Sequence, residues 1–117
     1  MSRELKFRAW NNTEGWIDTE FYIHADGHVY QDARKVYNTP HLEIETAYDD
    51  LIIEQFTGLK DSSGVDIYEG DIVTEIAEIP YFPVSFFNGD YWLGEERLSA
   101  VNIDSVIGNI HENNELL

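Results

Sequence analysis

Two histidines, His24 and His28, flank an Ala-Asp-Gly sequence and come closer than any other residues here to the spacing of a metal site. If residues 25–27 form a hairpin loop, the imidazoles face each other across the strands with Asp26 nearby. Zinc sites use three or four protein ligands, and the sequence indicates no third. The pattern therefore favours two exposed hairpin histidines, with no metal or other cofactor expected. His41 and His111 have no partner that the sequence indicates.

Near pairs of carboxylates recur along the chain: Glu43/Glu45, Asp49/Asp50, Glu69/Asp71 and Glu95/Glu96. Acid–base enzymes use two carboxylates whose environments separate their pKa values. Among 23 acidic residues, however, such pairs arise by chance. No nucleophile motif surrounds the serines at 62, 85, 99 or 105. No catalytic residue is predicted, and we expect that the chain is not an enzyme.

The most patterned stretch, TGLKDSSGVDIYEGDIV at residues 57–73, has the composition of turns. Asp61 and the serines after it can accept hydrogen bonds from nearby backbone amides, and Gly64 can adopt the left-handed conformation. Counted from Asp61, the glycine and glutamate positions do not match a calcium loop. We expect a turn, a short edge strand, a second turn at 69–71, and a strand that begins at Ile72.

Strand signals dominate the rest of the chain, and helix is expected only as short turns in 94–102 and 112–116. Asp26-Gly27 and Asn88-Gly89 are dipeptides typical of hairpin turns, and Asn-Gly favours type I′. Residues 50–59 suit a strand or a short helix, and we favour a strand. Residues 78–84 contain two prolines and are expected at a sheet edge or in a connection. The remaining predicted strands are 6–10, the two arms within 20–31, 41–48 and the two arms within 84–93.

These elements predict one domain over residues 1–117 that is mostly β, an α+β fold with minor short helices, built as a small barrel- or sandwich-like antiparallel sheet. A chain of 117 residues can bury a single core. Because 14% of the residues are aromatic, we expect an aromatic-rich core. Aromatic residues left outside it would form a protein-contact surface. The candidates are Trp10, Trp16, Trp92, Tyr22, Tyr30, Tyr81 and Tyr91.

The charge is strongly acidic, with 7 Lys+Arg against 23 Asp+Glu and a net charge of −16. Direct nucleic-acid binding and binding to an anionic membrane are not expected, because such affinity comes from Lys and Arg. The amino-terminal Arg3, Lys6 and Arg8 either lie against the acidic body as a counter-charge or are solvated strand residues. There is no cysteine, and the sequence has neither a signal core nor a membrane-spanning run, so we expect a cytoplasmic protein.

Three stretches together resemble the YopX family of bacteriophage and prophage proteins: RELKFRAW at 3–10, QFTGLKDSSGVDIYEGDIV at 55–73 and VIGNIHENNELL at 106–117. They occur in the family's order, and residues 11–54 carry no match of their own. Asn114 stands where the family usually has proline, so the terminal turn lacks proline's fixed angle. The resemblance implies a phage-associated, soluble, oligomeric protein in the bacterial host, and it brings no catalytic residues.

The leading hypothesis is a phage or prophage accessory protein that acts as a self-associating, non-enzymatic protein-interaction module with a host or phage protein partner. The alternative is an acidic nucleic-acid mimic that blocks a host or rival DNA- or RNA-binding protein. A mimic would display its carboxylates in paired rows at phosphate spacing, roughly 7 Å apart. No residue can be assigned to a binding site from the sequence.

Overall fold

The computed structural model describes residues 4–17, 21–27, 29–32, 45–47, 51–75 and 82–117. Eight strand pairings within these ranges are antiparallel, one of the sheets curls into a half-barrel, and the helical elements are two three-residue 3-10 turns. The prediction of a mostly β, barrel- or sandwich-like antiparallel fold with minor short helices is confirmed. No helix in the described ranges is long and apolar enough to cross a membrane.

Twelve strands and two 3-10 turns follow one another along the described parts of the chain. In order they are β1 Phe7–Asn11, β2 Gly15–Trp16, β3 Phe21–Ile23, β4 Val29–Asp32, β5 Glu45–Ala47, β6 Leu51–Lys60, β7 Asp66–Tyr68, β8 Asp71–Glu75, β9 Phe82–Phe87, β10 Asp90–Leu93, β11 Glu96–Arg97, η1 Leu98–Ala100, β12 Ile103–Asn109 and η2 Asn114–Leu116. They belong to two compact units, residues 8–53 and residues 54–117 with 1–7. The single-domain assignment stays a prediction.

The smaller unit, residues 8–53, contains the hairpins β1–β2 and β3–β4. The Asn11 side-chain oxygen accepts hydrogen bonds from the backbone amides of Thr13 (2.7 Å) and Glu14 (3.1 Å), which closes the β1–β2 turn. Trp10 and Trp16 pair across this hairpin with ring centroids 5.0 Å apart. In the second hairpin β3 pairs with β4, and β4 also pairs with β5. The predicted hairpin within 20–31 is therefore confirmed, whereas residues 41–44 and 48 lie outside the described ranges.

The larger unit, residues 54–117 with 1–7, contains a five-stranded sheet in the order β11-β10-β9-β8-β12. Its core is a cluster of buried aliphatic side chains: Ile67, Val73, Val84, Leu93 and Leu98. Phe56 is the one aromatic side chain among the buried hydrophobic residues of the described ranges. Within the described ranges the prediction of an aromatic-rich core was therefore wrong. Branched aliphatic side chains fill a core between short strands, whereas large rings are rarely enclosed completely.

The hairpin β9–β10 confirms the prediction made from Asn88-Gly89. Phe87 pairs with Asp90, and Asn88 and Gly89 have φ angles of 50° and 79°, as a type I′ turn requires. Residues 51–60 form strand β6 and not a helix, as predicted. In 94–102 the expected helical turn is confined to Leu98–Ala100, and the terminal turn at Asn114–Leu116 is confirmed.

Pro83 lies in β9, which is a central strand of the five-stranded sheet, so the predicted edge or connection was wrong for this part of 78–84. The register explains why proline is tolerated there. Phe82 and Pro83 pair with β8, whereas the pairing with β10 begins at Val84. Pro83 therefore has a strand partner on one side, and its missing amide removes no bond to β10. Residues 78–81 lie outside the described ranges.

The amino-terminal Lys6 forms ion pairs inside the larger unit. Its Nζ lies 2.5 Å from Oδ2 of Asp66, and Nζ of Lys60 lies 2.6 Å from Oδ1 of the same carboxylate. The bond to Asp66 raises the pKa of Lys6, and the bonds from Lys6 and then Lys60 lower the pKa of Asp66. For Lys6 the counter-charge alternative is confirmed, while Arg3 lies outside the described residues.

Candidate functional site

Asp61 organises the patterned stretch at residues 57–73. Its side chain is buried, and Oδ1 accepts the backbone amides of Ser63 and Val65, both at 2.9 Å. Oδ2 accepts the amide of Val106 in β12 at 3.0 Å. The amides of Val65 and then Val106 hold the pKa of Asp61 below its usual value, because they stabilise the carboxylate. The predicted turn is confirmed, and Gly64 has the expected positive φ of 86°.

Ser62 connects the same turn to β12 by two hydrogen bonds. Its backbone amide and its Oγ both donate to the carbonyl oxygen of Asp104, at 3.2 Å and 2.5 Å. Asp61 thus accepts one backbone amide of β12, and Ser62 donates to one backbone carbonyl of the same strand. β12 is the last strand in the sheet order. The polar side chains of Asp61 and Ser62 are thus used for folding, in agreement with the prediction of a turn.

A buried polar pair, Glu54 and His111, joins β6 to the turn after β12. Nε2 of His111 lies 3.0 Å from Oε2 of Glu54, and their side chains are 9% and 4% exposed. The sequence alone indicates no partner for His111, because the two residues are 57 positions apart. A signal was present in Glu54 itself, since an acidic residue amid the apolar residues of a strand requires a polar partner when it is buried.

Gly70 lies directly against this pair. It has a φ of 87°, and a Cβ at this position would collide with the Glu54 carboxylate. Its carbonyl oxygen accepts the amide of Ile110 at 2.9 Å, and its amide donates to Val84 at 2.8 Å. Glycine is therefore required here both for the backbone angle and for the close approach of Glu54.

The predicted carboxylate pair Glu69/Asp71 divides between two different environments. Burial, and then the charge of nearby Glu54, raises the pKa of Glu69. Asp71 is buried, and its Oδ2 accepts the backbone amide of Tyr68 at 2.8 Å. Asp71 thus closes the turn that precedes β8, whereas the carboxylate of Glu69 is repelled by the nearby carboxylate of Glu54.

The carboxy-terminal stretch holds His111 in place through a set of local bonds. The Asn109 side-chain oxygen accepts the amides of His111 (3.0 Å) and Glu112 (2.9 Å), and its Nδ2 donates to Glu112 Oε1 at 3.0 Å. Asn113 Oδ1 accepts the amide of Asn109 at 3.1 Å, and a Cβ at Gly108 would collide with Asn113. The polar groups of Asn109 and Asn113 thus bind within the turn that carries His111. Together with the Glu54–His111 contact they have the features of a structural polar network.

Most of the exposed residues of strand β9 are apolar, in contrast to the polar groups described above. Phe82, Phe86 and Phe87 are 46%, 52% and 64% exposed, and we call these three residues the aromatic hairpin surface. Because side chains alternate along a strand, Phe82 and Phe86 lie on one face of β9 and Phe87 lies on the other. Residues 82–89, FPVSFFNG, carry no charge, although 26% of the chain is charged. Scattered exposed apolar residues are ordinary, but a group of them on one element marks a contact surface.

Cross-strand contacts support this surface. Phe86 packs against Tyr91 on β10 with ring centroids 5.1 Å apart. Trp92 Nε1 donates to the carbonyl oxygen of Phe87 at 2.9 Å, which fixes the Trp92 ring beside the turn. The Phe86 ring is therefore held by its cross-strand partner, and less of its side-chain freedom is lost on binding than with a flexible side chain.

The other residues singled out from the sequence fall in several places. His24 is exposed, with Nδ1 3.2 Å from Oδ1 of Asp26, and the described residues contain no group of three that could hold a metal ion. Tyr22 is exposed, Trp10, Trp16, Trp92 and Tyr91 are half-buried, and Glu95 and Glu96 are exposed. The remaining residues lie outside the described ranges or have undescribed side chains: His28, His41, Glu43, Glu45, Asp49, Asp50, Tyr30 and Tyr81. The arrangement of carboxylates expected of a mimic stays a prediction.

Comparison with known proteins gives a family and a solved relative. A family model described as YopX protein matches residues 6–117. The crystal structure of protein EF1440 from Enterococcus faecalis is similar to this chain with a TM-score of 0.68 and 27% sequence identity, and the match covers 99% of each chain. No curated protein matches.

Proposed function

This chain belongs to the YopX protein family, and from that membership we propose that it is a phage- or prophage-associated accessory protein of the host cytoplasm. It acts as a self-associating, non-enzymatic protein-interaction module. The observation that carries the proposal is the aromatic hairpin surface, three exposed phenylalanines on strand β9, which carries no charge. Aromatic side chains contribute a large share of the energy of protein interfaces.

The exposed area suits the centre of an interface. At about 150–250 Å² for a whole aromatic side chain, the exposed fractions offer roughly 200 Å² on the face of Phe82 and Phe86 and roughly 130 Å² on the face of Phe87. A stable interface covers about 800 Å² on each partner. The rings of Phe82 and Phe86 would thus form the central contact on their face, Phe87 would add contacts at the end of the hairpin, and neighbouring polar residues would form the rim.

The acidic charge supports this choice of surface. Two copies with a net charge of −16 repel each other at most orientations. Residues 82–89 carry no charge, and the neighbouring Asp90 is 3.6 Å from the guanidinium of Arg97, so this repulsion is weakest around β9. Self-association through the hairpin should therefore strengthen as salt rises toward physiological concentration, because added ions screen the remaining repulsion.

The buried ionisable groups support a non-enzymatic role. Glu54 and His111 are enclosed and connect β6 to the carboxy-terminal turn, and Asp61 and Asp71 bind backbone amides. The same residues weaken the alternative of a nucleic-acid mimic, because carboxylates used inside the fold are not displayed to a basic partner. Asp66 is likewise occupied by two lysines.

Sedimentation velocity across a range of protein concentrations tests self-association. We expect the double variant Phe86→Ser/Phe87→Ser to be monomeric at concentrations at which the wild type associates. Val65→Ser is the matched control, because Val65 is 50% exposed but lies away from the hairpin in sequence. A wild type that is monomeric throughout, or a double variant that associates as the wild type does, would refute the proposed surface.

Capture of a host or phage partner at low and high salt separates the module from the mimic. The module should retain its partner at high salt and lose it in the double variant, since apolar contacts depend little on ionic strength. Partner loss at high salt together with full tolerance of the double variant would instead support the mimic, whose contacts resemble those of phosphates.

A further inference from the structure

A cleft of about 270 Å³ lies beside the aromatic hairpin surface in the larger unit. It is lined by residues 55–58 of β6 and by Phe86, Gly89 and Tyr91 of the hairpin β9–β10. Glu4 also lines the cleft and is its one charged residue among the described residues. The cleft thus combines an aromatic wall with a carboxylate.

The proposed function provides the basis for this step: we infer that the cleft receives an arginine side chain from an extended segment of a protein partner. Its volume is below the range of about 300–1,000 Å³ that is typical of small-molecule pockets, so it suits a single side chain. The side chains that anchor interfaces most often are Trp, Tyr and Arg. Among these, the carboxylate and the net charge of −16 select arginine.

The lining residues match the two binding modes of a guanidinium group. Its planar face can stack on an aromatic ring, here Phe86 or Tyr91, whose centroids are 5.1 Å apart. Its edge can donate two parallel hydrogen bonds to a carboxylate, here Glu4. A lysine ammonium forms neither the planar stack nor the bidentate bond, so the cleft distinguishes arginine from lysine.

Glu4 has capacity for such a ligand. Its side chain is 64% exposed, and Oε1 lies 3.5 Å from Nζ of Lys6. Lys6 is closer to Asp66, at 2.5 Å, which draws the ammonium toward that carboxylate. Because a carboxylate offers about four acceptor positions, Glu4 can accept a guanidinium while Lys6 remains in place.

Cations of this chain already rest on aromatic rings within each unit. Lys6 Nζ lies 4.6 Å from the centre of the Phe56 ring, Arg8 Cζ lies 4.4 Å from Trp16, and Arg97 Cζ lies 5.9 Å from Trp92. The acidic surroundings favour a cation near each ring, and the same preference applies to a cation supplied by a partner. The acidic field would also accelerate the approach of a basic segment, and salt would reduce this acceleration.

The probe for this inference is the peptide acetyl-Gly-Arg-Gly-amide, titrated into the full chain and followed by NMR at a low protein concentration. Its matched analogue carries citrulline, which has nearly the same shape as arginine but no charge. We expect shifts at Gly58, Gly89 and Tyr91, and roughly fivefold weaker binding of the citrulline peptide. Equal binding of the two peptides, or shifts confined to residues far from the cleft, would overturn the inference.

Two pairs of variants locate the binding in the cleft. Glu4→Gln and Phe86→Leu should each weaken arginine-peptide binding by about threefold, because they remove the carboxylate or the ring face. The controls Glu115→Gln and Phe87→Leu change an exposed carboxylate or ring that does not line the cleft, and they should bind the peptide as the wild type does. Phe86→Leu retains apolar volume, so a native spectrum confirms that the hairpin is folded.

The same variants distinguish this inference from the proposed function. Phe87→Leu is expected to weaken self-association without affecting the peptide, whereas Glu4→Gln is expected to do the reverse. Arginine-peptide binding that persists in a wild type that never self-associates supports the cleft and refutes the self-association proposal. Wild-type binding of the peptide by both Glu4→Gln and Phe86→Leu refutes the cleft, whatever the state of association.

Discussion

The imidazole of His111 and the carboxylate of Glu54 lie 3.0 Å apart in an enclosed position, although 57 residues separate them in the chain. The contact ties the carboxy-terminal turn to β6. Because the Glu54 side chain is 4% exposed, the free energy of its desolvation must be offset by the groups around it. The stability of the larger unit should therefore depend on this pair.

The first prediction concerns His111→Ala. We expect the free energy of unfolding to fall by about 1–3 kcal/mol, because Glu54 loses a hydrogen-bond partner in a buried position. Urea unfolding monitored by tryptophan fluorescence measures the change. The control His24→Ala removes an exposed imidazole and should change stability by less than about 0.5 kcal/mol. Equal effects of the two substitutions would show that the buried pair is not needed for stability.

The second prediction compares two glycines with nearly the same backbone angle. Gly70 and Gly64 have φ angles of 87° and 86°, but only at Gly70 would a Cβ collide with another group, the Glu54 carboxylate. Gly64→Ala should cost about 1–2 kcal/mol for the left-handed conformation alone. Gly70→Ala should cost clearly more.

The difference between these two variants isolates the collision with Glu54. Thermal unfolding of both, measured under identical conditions, gives this difference directly. Similar losses for the two variants would mean that Glu54 moves away from the added methyl group at no cost.

The third prediction concerns acid unfolding. The pKa values of Asp61 and Asp66 are lowered in the folded state, by backbone amides for Asp61 and by lysines for Asp66. Both groups thus contribute stability above the unfolded-state value of about 3.9, and this stability is lost as pH falls through their folded-state values. Asp61→Asn should lower the melting temperature at neutral pH and make it less sensitive to acid. A variant with the wild-type acid profile would contradict the role of Asp61.

The fourth prediction has the opposite sign. The pKa of Glu69 is raised by burial and by Glu54, so its contribution is present below the unfolded-state value of about 4.3 and is lost as pH rises through the folded-state value. Glu69→Gln removes this unfavourable charge. We expect a higher melting temperature than the wild type at neutral pH and a smaller difference at acidic pH. A lower melting temperature of Glu69→Gln at neutral pH would show that its ionised form is favourable.

The features predicted correctly from the sequence are those that short segments determine. Asn88-Gly89 specifies its own hairpin because few other residues adopt two consecutive positive φ angles. Asp61 and Gly64 specify their turn because side chain and backbone meet within four residues. Both predictions required knowledge only of nearby residues.

The features that were missed depend on contacts between distant segments. The bond between Glu54 and His111 depends on how β6 and the turn after β12 come together. The sequence of one segment does not indicate where the other segment lies. Pro83 can lie in a central strand because β8 and β10 pair with different residues of β9. The local sequence does not specify these two registers. The aliphatic core likewise reflects which faces of the strands meet, and hydrophobic content alone does not reveal this.

The attachment of Asp61 and Ser62 to β12 has a consequence for solubility. A terminal strand with unsatisfied amides and carbonyls is a template on which the strand of another molecule can pair and begin aggregation. Here a carboxylate accepts the amide of Val106, and a serine donates to the carbonyl of Asp104. The turn thus blocks these two positions to a foreign strand, and it places a negative charge where such a strand would have to bind.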